Sequence, residues 1–118
     1  MTSREAPDWF HPEIPPSGPG CLECEATSGW WLHLRRCVTC GQVGCCDSSP
    51  SQHASRHAAA ASHPIAGSFE PGEDWYWDYV REDVVDGPPL APPIHHPLDQ
   101  TTPGPEDRVP PDWEDHLH

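Results

Sequence analysis

Residues 37–64 read CVTCGQVGCCDSSPSQHASRHAAAASHP, and the spacing of cysteine and histidine within them decides the fold. The stretch opens on a Cys37-x2-Cys40 pair, passes through adjacent Cys45 and Cys46, and closes on His53, His57 and His63. Upstream, Cys21-x2-Cys24 supplies a second pair. Two thiolates two residues apart converge on one ion from a tight turn. Zinc takes four such nitrogen or sulfur ligands in a tetrahedron at about 2.0–2.3 Å. Six cysteines and these three histidines give nine candidates for the eight ligand positions of two zinc ions. The residues alone leave open whether His53 and His57, four apart on a helix face, share one ion.

Composition explains why a metal is needed. The chain has 118 residues, 17 prolines, nine glycines, two Phe, one Met and a mean hydropathy of -0.70. A domain of about 60 residues buries only about 60% of the surface its unfolded chain exposes. Disulfides or a structural metal then stand in for a large core. Three disulfides would leave the histidines unexplained. The first twenty residues carry acidic side chains and prolines where a signal peptide has an apolar run. The cysteines are therefore expected in a reducing cytoplasm, where metal binding is favoured over disulfides. A redox Cys-x2-Cys calls for a βαβ setting, and no such pattern is visible.

The formal charge of -13 argues against nucleic acid, which needs clustered cations. All six basic residues are arginines, and only Arg35 and Arg36 are adjacent. The weakly apolar run at 58–61 is far short of the ~20 residues that span a membrane. Arginine without lysine, with abundant alanine and proline, suits a bacterial origin.

Residues 1–20 hold five prolines, and residues 84–118 hold nine more with seven acids against one arginine. Both read as disordered tails, the second as a solvating one. Their histidines, among them His95, His96, His116 and His118, read as surface residues. The domain is therefore 21–83, an α+β fold with a twisted antiparallel sheet and one main helix. Residues 30–35 are strand-like, and Val43 sits in a short strand or turn. Ser49, Pro50 and Gln52 predict a capped helix start, with the helix running to about Ser62 before Pro64. Strands at 65–70 and 74–80 flank a Pro71-Gly72 turn as a hairpin.

Cys21-Leu-Glu-Cys24, Trp31-Leu-His-Leu34, Cys37-Val-Thr-Cys40-Gly41, Cys45 and His53-Ala-Ser-Arg-His57 with His63-Pro64 together resemble the UBP-type zinc finger of ubiquitin-specific proteases. The segments Gly41 to Pro50 and Glu70 to Trp75 resemble its short stand-alone bacterial branch. The resemblance implies interleaved sites: Cys21, Cys24, the Cys45 position and His53 on one zinc, Cys37, Cys40, His57 and His63 on the other. Cys45 matches by its distance from Cys40, whereas Cys46 matches by its distance to His53. The stretch matching a third zinc site in other members is Trp75 to Tyr79, without cysteine, so two zincs are expected.

Ubiquitin-binding members hold a free carboxyl terminus with an arginine just after the cysteine. Here Cys46-Asp47 stands there, and an aspartate repels a carboxylate. Trp31, Trp75, Trp77 and Tyr79 match aromatic walls of that pocket; the plain alternative for 75, 77 and 79 is one sheet face packed on the core. The expectation is a non-catalytic zinc module that mediates protein or peptide interaction, with a peptide segment or small cationic group beside Asp47. No catalytic motif stands against it: deaminase, nucleophile-elbow and phosphate-loop signatures are missing. The alternative is a thiol redox or zinc-release sensor using Cys45 and Cys46.

Overall fold

The sheet grows on both sides of β1 (Leu34–Cys37), in a computed structural model that describes residues 11, 14–18, 20–70, 73, 75–85 and 102–118. Strand β2 (Val43–Cys45) returns along one edge of β1, with Leu34 opposite Cys45 and Arg36 opposite Val43. On the other side lie β3 (Ile65–Ser68), β4 (Tyr76–Asp78) and β5 (Asp83–Val85). The order is β2-β1-β3-β4-β5, and every neighbouring pair is antiparallel. The expected β3–β4 pairing is present, and its Pro71-Gly72 turn lies outside the described residues. The fifth strand goes beyond the sequence reading. It follows a turn in which the Asp78 carboxylate accepts backbone N–H bonds from Val80 and Arg81 at 2.9 and 3.1 Å.

Two helices flank the sheet. The short α1 (Leu22–Thr27) was not anticipated. Its cap is the Cys21 thiol, which accepts the Cys24 N–H at 3.4 Å. The helix ends on left-handed Ser28, where the Gly29 N–H donates to the Cys24 carbonyl at 2.8 Å. The main helix is α2 (His53–Ala61), closed by left-handed Ser62. The expected capping box does not form. Gln52 takes the cap position with a positive φ of 53° and no side-chain cap. Ser49 is fully buried, and its hydroxyl accepts the Leu32 N–H at 2.8 Å. Helix α2 presses directly onto β2: a Cβ on Gly44 would lie 2.7 Å from the Ala54 nitrogen.

The core is thin and built around sulfur. One cluster joins Cys21, Cys24 and Cys45 to Trp31, Leu34, Val43 and Phe69; a smaller one holds Val38, Ile65 and Tyr76. Edge strand β2 does not end in open backbone, which would template unwanted pairing. Its Val43 N–H donates to the Ser17 hydroxyl at 2.9 Å, and the Ser17 N–H donates to the Gly41 carbonyl at 2.9 Å. At the other end, residues 102–118, read from composition as a solvating tail, lie along the domain. Trp31 and Gly104 exchange backbone hydrogen bonds in both directions.

Candidate metal centres and ligand pocket

Two groups of four donor atoms form where the elements meet. In the first, Cys21 caps α1, Cys24 lies inside it, Cys45 ends β2 and His53 starts α2. His53 Nδ1 stands 3.2, 3.3 and 3.6 Å from the sulfurs of Cys21, Cys24 and Cys45, and the last two sulfurs are 3.9 Å apart. In the second group, Cys37 and Cys40 face His57 and His63. Cys37 Sγ is 3.5 Å from His63 Nδ1, and Cys40 Sγ is 3.3 Å from His57 Nε2. All four donor atoms of each group lie within 4.8 Å of one another.

These spacings fit zinc. Tetrahedral Zn–S bonds of about 2.3 Å and Zn–N bonds of about 2.0–2.1 Å put sulfurs about 3.8 Å apart and a sulfur and a nitrogen about 3.5 Å apart. Electrostatics points the same way. Hydrogen bonds from Cys24 and then Cys45 lower the Cys21 pKa to about 3, while sharing the same bonds pushes Cys24 and Cys45 upward. Without a metal one thiolate is held by two thiols, because three thiolates at this spacing repel one another; a divalent cation removes that penalty and lets all three ionise. Burial, then His63, lowers the His57 pKa, which favours the neutral ligating imidazole. Each group could hold one zinc ion, which would tie α1, the sheet and α2 together.

The helix explains the interleaving. His53 and His57 are one turn apart on α2, yet His53 faces the sulfurs of Cys21, Cys24 and Cys45 while His57 faces that of Cys40. Cys46, offered by sequence as an alternative to Cys45, stays out of both groups. Its sulfur is buried 3.4 Å from the Ser49 hydroxyl. The two share a turn in which the Ser49 N–H donates to the Cys46 carbonyl.

The five residues expected around a ligand pocket divide. Asp47, Trp77 and Tyr79 line one pocket of about 320 Å³ beside α2, and Glu82 joins them. Trp75 stands outside its lining, beneath the Arg35 guanidinium at 4.6 Å. Trp31 lies elsewhere, 2% exposed in the sulfur-rich cluster. The plain core alternative for positions 75, 77 and 79 gives way as well. On β4 it is Tyr76 and Asp78 that are buried, and Trp75, Trp77 and Tyr79 are half-buried on the opposite face. Burial raises the Tyr79 pKa, with the Asp47 charge adding to it, so its phenol stays protonated. Sequence reasoning missed Glu82, which lies in the unforeseen turn between β4 and β5.

Among the described residues, no helix is long and apolar enough to cross a membrane. The family model described as the Zn-finger in ubiquitin-hydrolases and other protein matches residues 21–90. The solution NMR structure of protein RPA1320 from Rhodopseudomonas palustris is similar to this chain at 43% identity. The match covers 76% of this chain and 84% of that one, with a TM-score of 0.58. No curated protein matches the chain.

Proposed function

This chain belongs to the zinc-finger family found in ubiquitin-hydrolases and other proteins, and from that premise we propose that it is a non-catalytic interaction module whose pocket takes a cationic group of a protein or peptide partner. The observation that carries this reading is the charge of the pocket. Asp47 and Glu82 supply two carboxylates at a cavity walled by Trp77 and Tyr79. An ammonium or guanidinium gains from both the carboxylates and the aromatic faces, the latter worth about 0.5–2 kcal/mol. A terminal carboxylate meets repulsion instead. Of the nearby cations, Arg35 is engaged on Trp75, and Arg81 lies in the turn between the lining residues Val80 and Glu82. A free ubiquitin-like tail is therefore a poor fit to this pocket.

Four protein donors in each metal group support a structural role, since catalytic zinc keeps a coordination position open. Five of the six cysteines stand in the metal groups, a use of thiols that goes with a reducing setting. The thiol-sensor alternative draws little support from a Cys46 that is 5% exposed and turned toward Ser49.

The test is an NMR titration of the isotope-labelled, zinc-loaded chain with two short peptides. One carries an internal lysine and an amidated end; the other ends in a free Gly-Gly carboxylate. The expected result is movement of the Asp47, Trp77 and Tyr79 signals with the lysine peptide alone. Movement with the carboxylate peptide alone rejects the reading.

A further inference from the structure

The geometry points to a second recognition surface, around Trp31, that binds a peptide extended at a glycine-proline pair and then turned through a short 3-10 helix to an arginine four residues on, with residues 102–118 as its resident ligand in cis. This rests on the zinc-held fold but not on the Asp47 pocket.

Recognition at this surface has two parts, and the segment is held again at its end, where the His118 N–H donates to the Ser48 carbonyl and His118 Nε2 lies 3.0 Å from the Pro50 carbonyl. The first is main-chain pairing. The Trp31 N–H donates to the Gly104 carbonyl at 2.8 Å, and the Gly104 N–H donates to the Trp31 carbonyl at 3.0 Å. This is the pattern by which an extended segment adds to an exposed backbone edge. The second is an arginine site. Arg108 Nε donates to the Gly29 carbonyl at 2.8 Å, and its Nη2 donates to the Glu25 carboxylate at 2.6 Å. The guanidinium carbon also lies 5.7 Å from the centre of the Trp31 ring. A carbonyl, a carboxylate and an indole face suit the planar fork of arginine better than the point charge of lysine.

The domain builds these partners, not the tail. Glu25 is on α1, and the turn that presents the Gly29 carbonyl is held by the Gly29 N–H bond to Cys24. Cys24 belongs to the first metal group. A peptide of the same chemistry would find the surface formed once residues 102–118 moved away. Arg108 is the one basic residue among the nine prolines and seven acids of 84–118, so its placement sets this segment apart from a solvated tail. The ion pair is partly open to water, at 24% and 48% side-chain exposure, and such pairs hold weakly. A tethered ligand of that kind competes through its local concentration and gives way to a better one.

The test uses the full-length, zinc-loaded chain and a fluorescent synthetic peptide of residues 102–118 as probe. In the wild-type chain the cis segment competes, and anisotropy should report weak binding. Arg108→Gln in the chain should strengthen probe binding about tenfold by loosening that competitor. Glu25→Gln added to that variant, or the same arginine change in the probe, should remove the gain. Equal binding of the probe to wild-type and Arg108→Gln chains overturns the inference, as does equal binding of native and arginine-free probes. Zinc content is read in every sample. Two zincs with no gain in probe binding sink this surface and leave the zinc module standing, and the Trp77 signals report the Asp47 pocket separately.

Discussion

His53 Nδ1 and Cys21 Sγ lie 3.2 Å apart although 32 residues separate them in the chain. That contact joins the start of the main helix to the cap of the first. His57, one turn further along α2, serves the other group through Cys40. One helix thus belongs to both metal groups, and neither can be lost without freeing an end of it.

Replacing His53 or His57 by alanine should each remove one zinc of two. Structural zinc contributes about 10–16 kcal/mol in finger peptides, as much as the whole stability of an ordinary domain. Either variant should therefore lose its cooperative melt along with one metal equivalent. Cys46→Ser should keep both zincs, because that thiol faces Ser49. Elemental analysis and circular dichroism of the three variants check the contrast.

Much of this arrangement is legible in the sequence, and the reasons for the remainder are local. Cysteine and histidine spacing carries the ligand pool because a tetrahedral ion imposes distances that show as gaps in the chain. The alanine run of α2 and the β3–β4 pairing follow from ordinary propensity and alternation. Helix α1 is hidden since its six residues have no periodicity and its cap is a thiol rather than a hydroxyl or carboxylate. Ser49 looks like a helix cap in sequence, but the Leu32 N–H claims it across the fold. Trp31 and Trp77 look alike as aromatic walls, and only tertiary packing assigns one to Gly104 and the other to Asp47. The docking of 102–118 combines backbone pairing at Gly104 with the Arg108 and His118 contacts, within a composition that otherwise reads as solvated.

Acid should release the metal. Burial and His63 hold the folded His57 pKa below its ordinary 6.5, so folding favours the neutral ring. The stability tied to that shift is complete above pH 6.5 and is lost as pH falls through the lower folded value. Protons also compete with zinc for the thiolates. A chromophoric chelator should record zinc release that increases as the pH falls below neutrality. A melting temperature unchanged from pH 7.5 to pH 4 would contradict this.

Gly44→Ala should destabilise the chain without touching a ligand. The new methyl would lie 2.7 and 2.8 Å from the Ala54 nitrogen and Cα, forcing α2 off β2 between Cys45 and His53. Overpacking of this kind costs about 1–3 kcal/mol. A lower melting temperature and faster zinc loss to chelator are expected; wild-type values for both would show that the contact is looser than described.

Asp47→Asn should weaken binding of a lysine-bearing peptide about tenfold, as expected when a charge-assisted contact becomes a neutral one. Zinc content should stay at two. Peptide affinity unchanged by this substitution would remove Asp47 from the recognition chemistry.

The most direct test of the central claim is zinc stoichiometry on protein purified under reducing conditions, with circular dichroism before and after chelation. Two zincs per chain, and loss of folded structure when they are removed, is the predicted result. One zinc or none, with the structure retained, would contradict it.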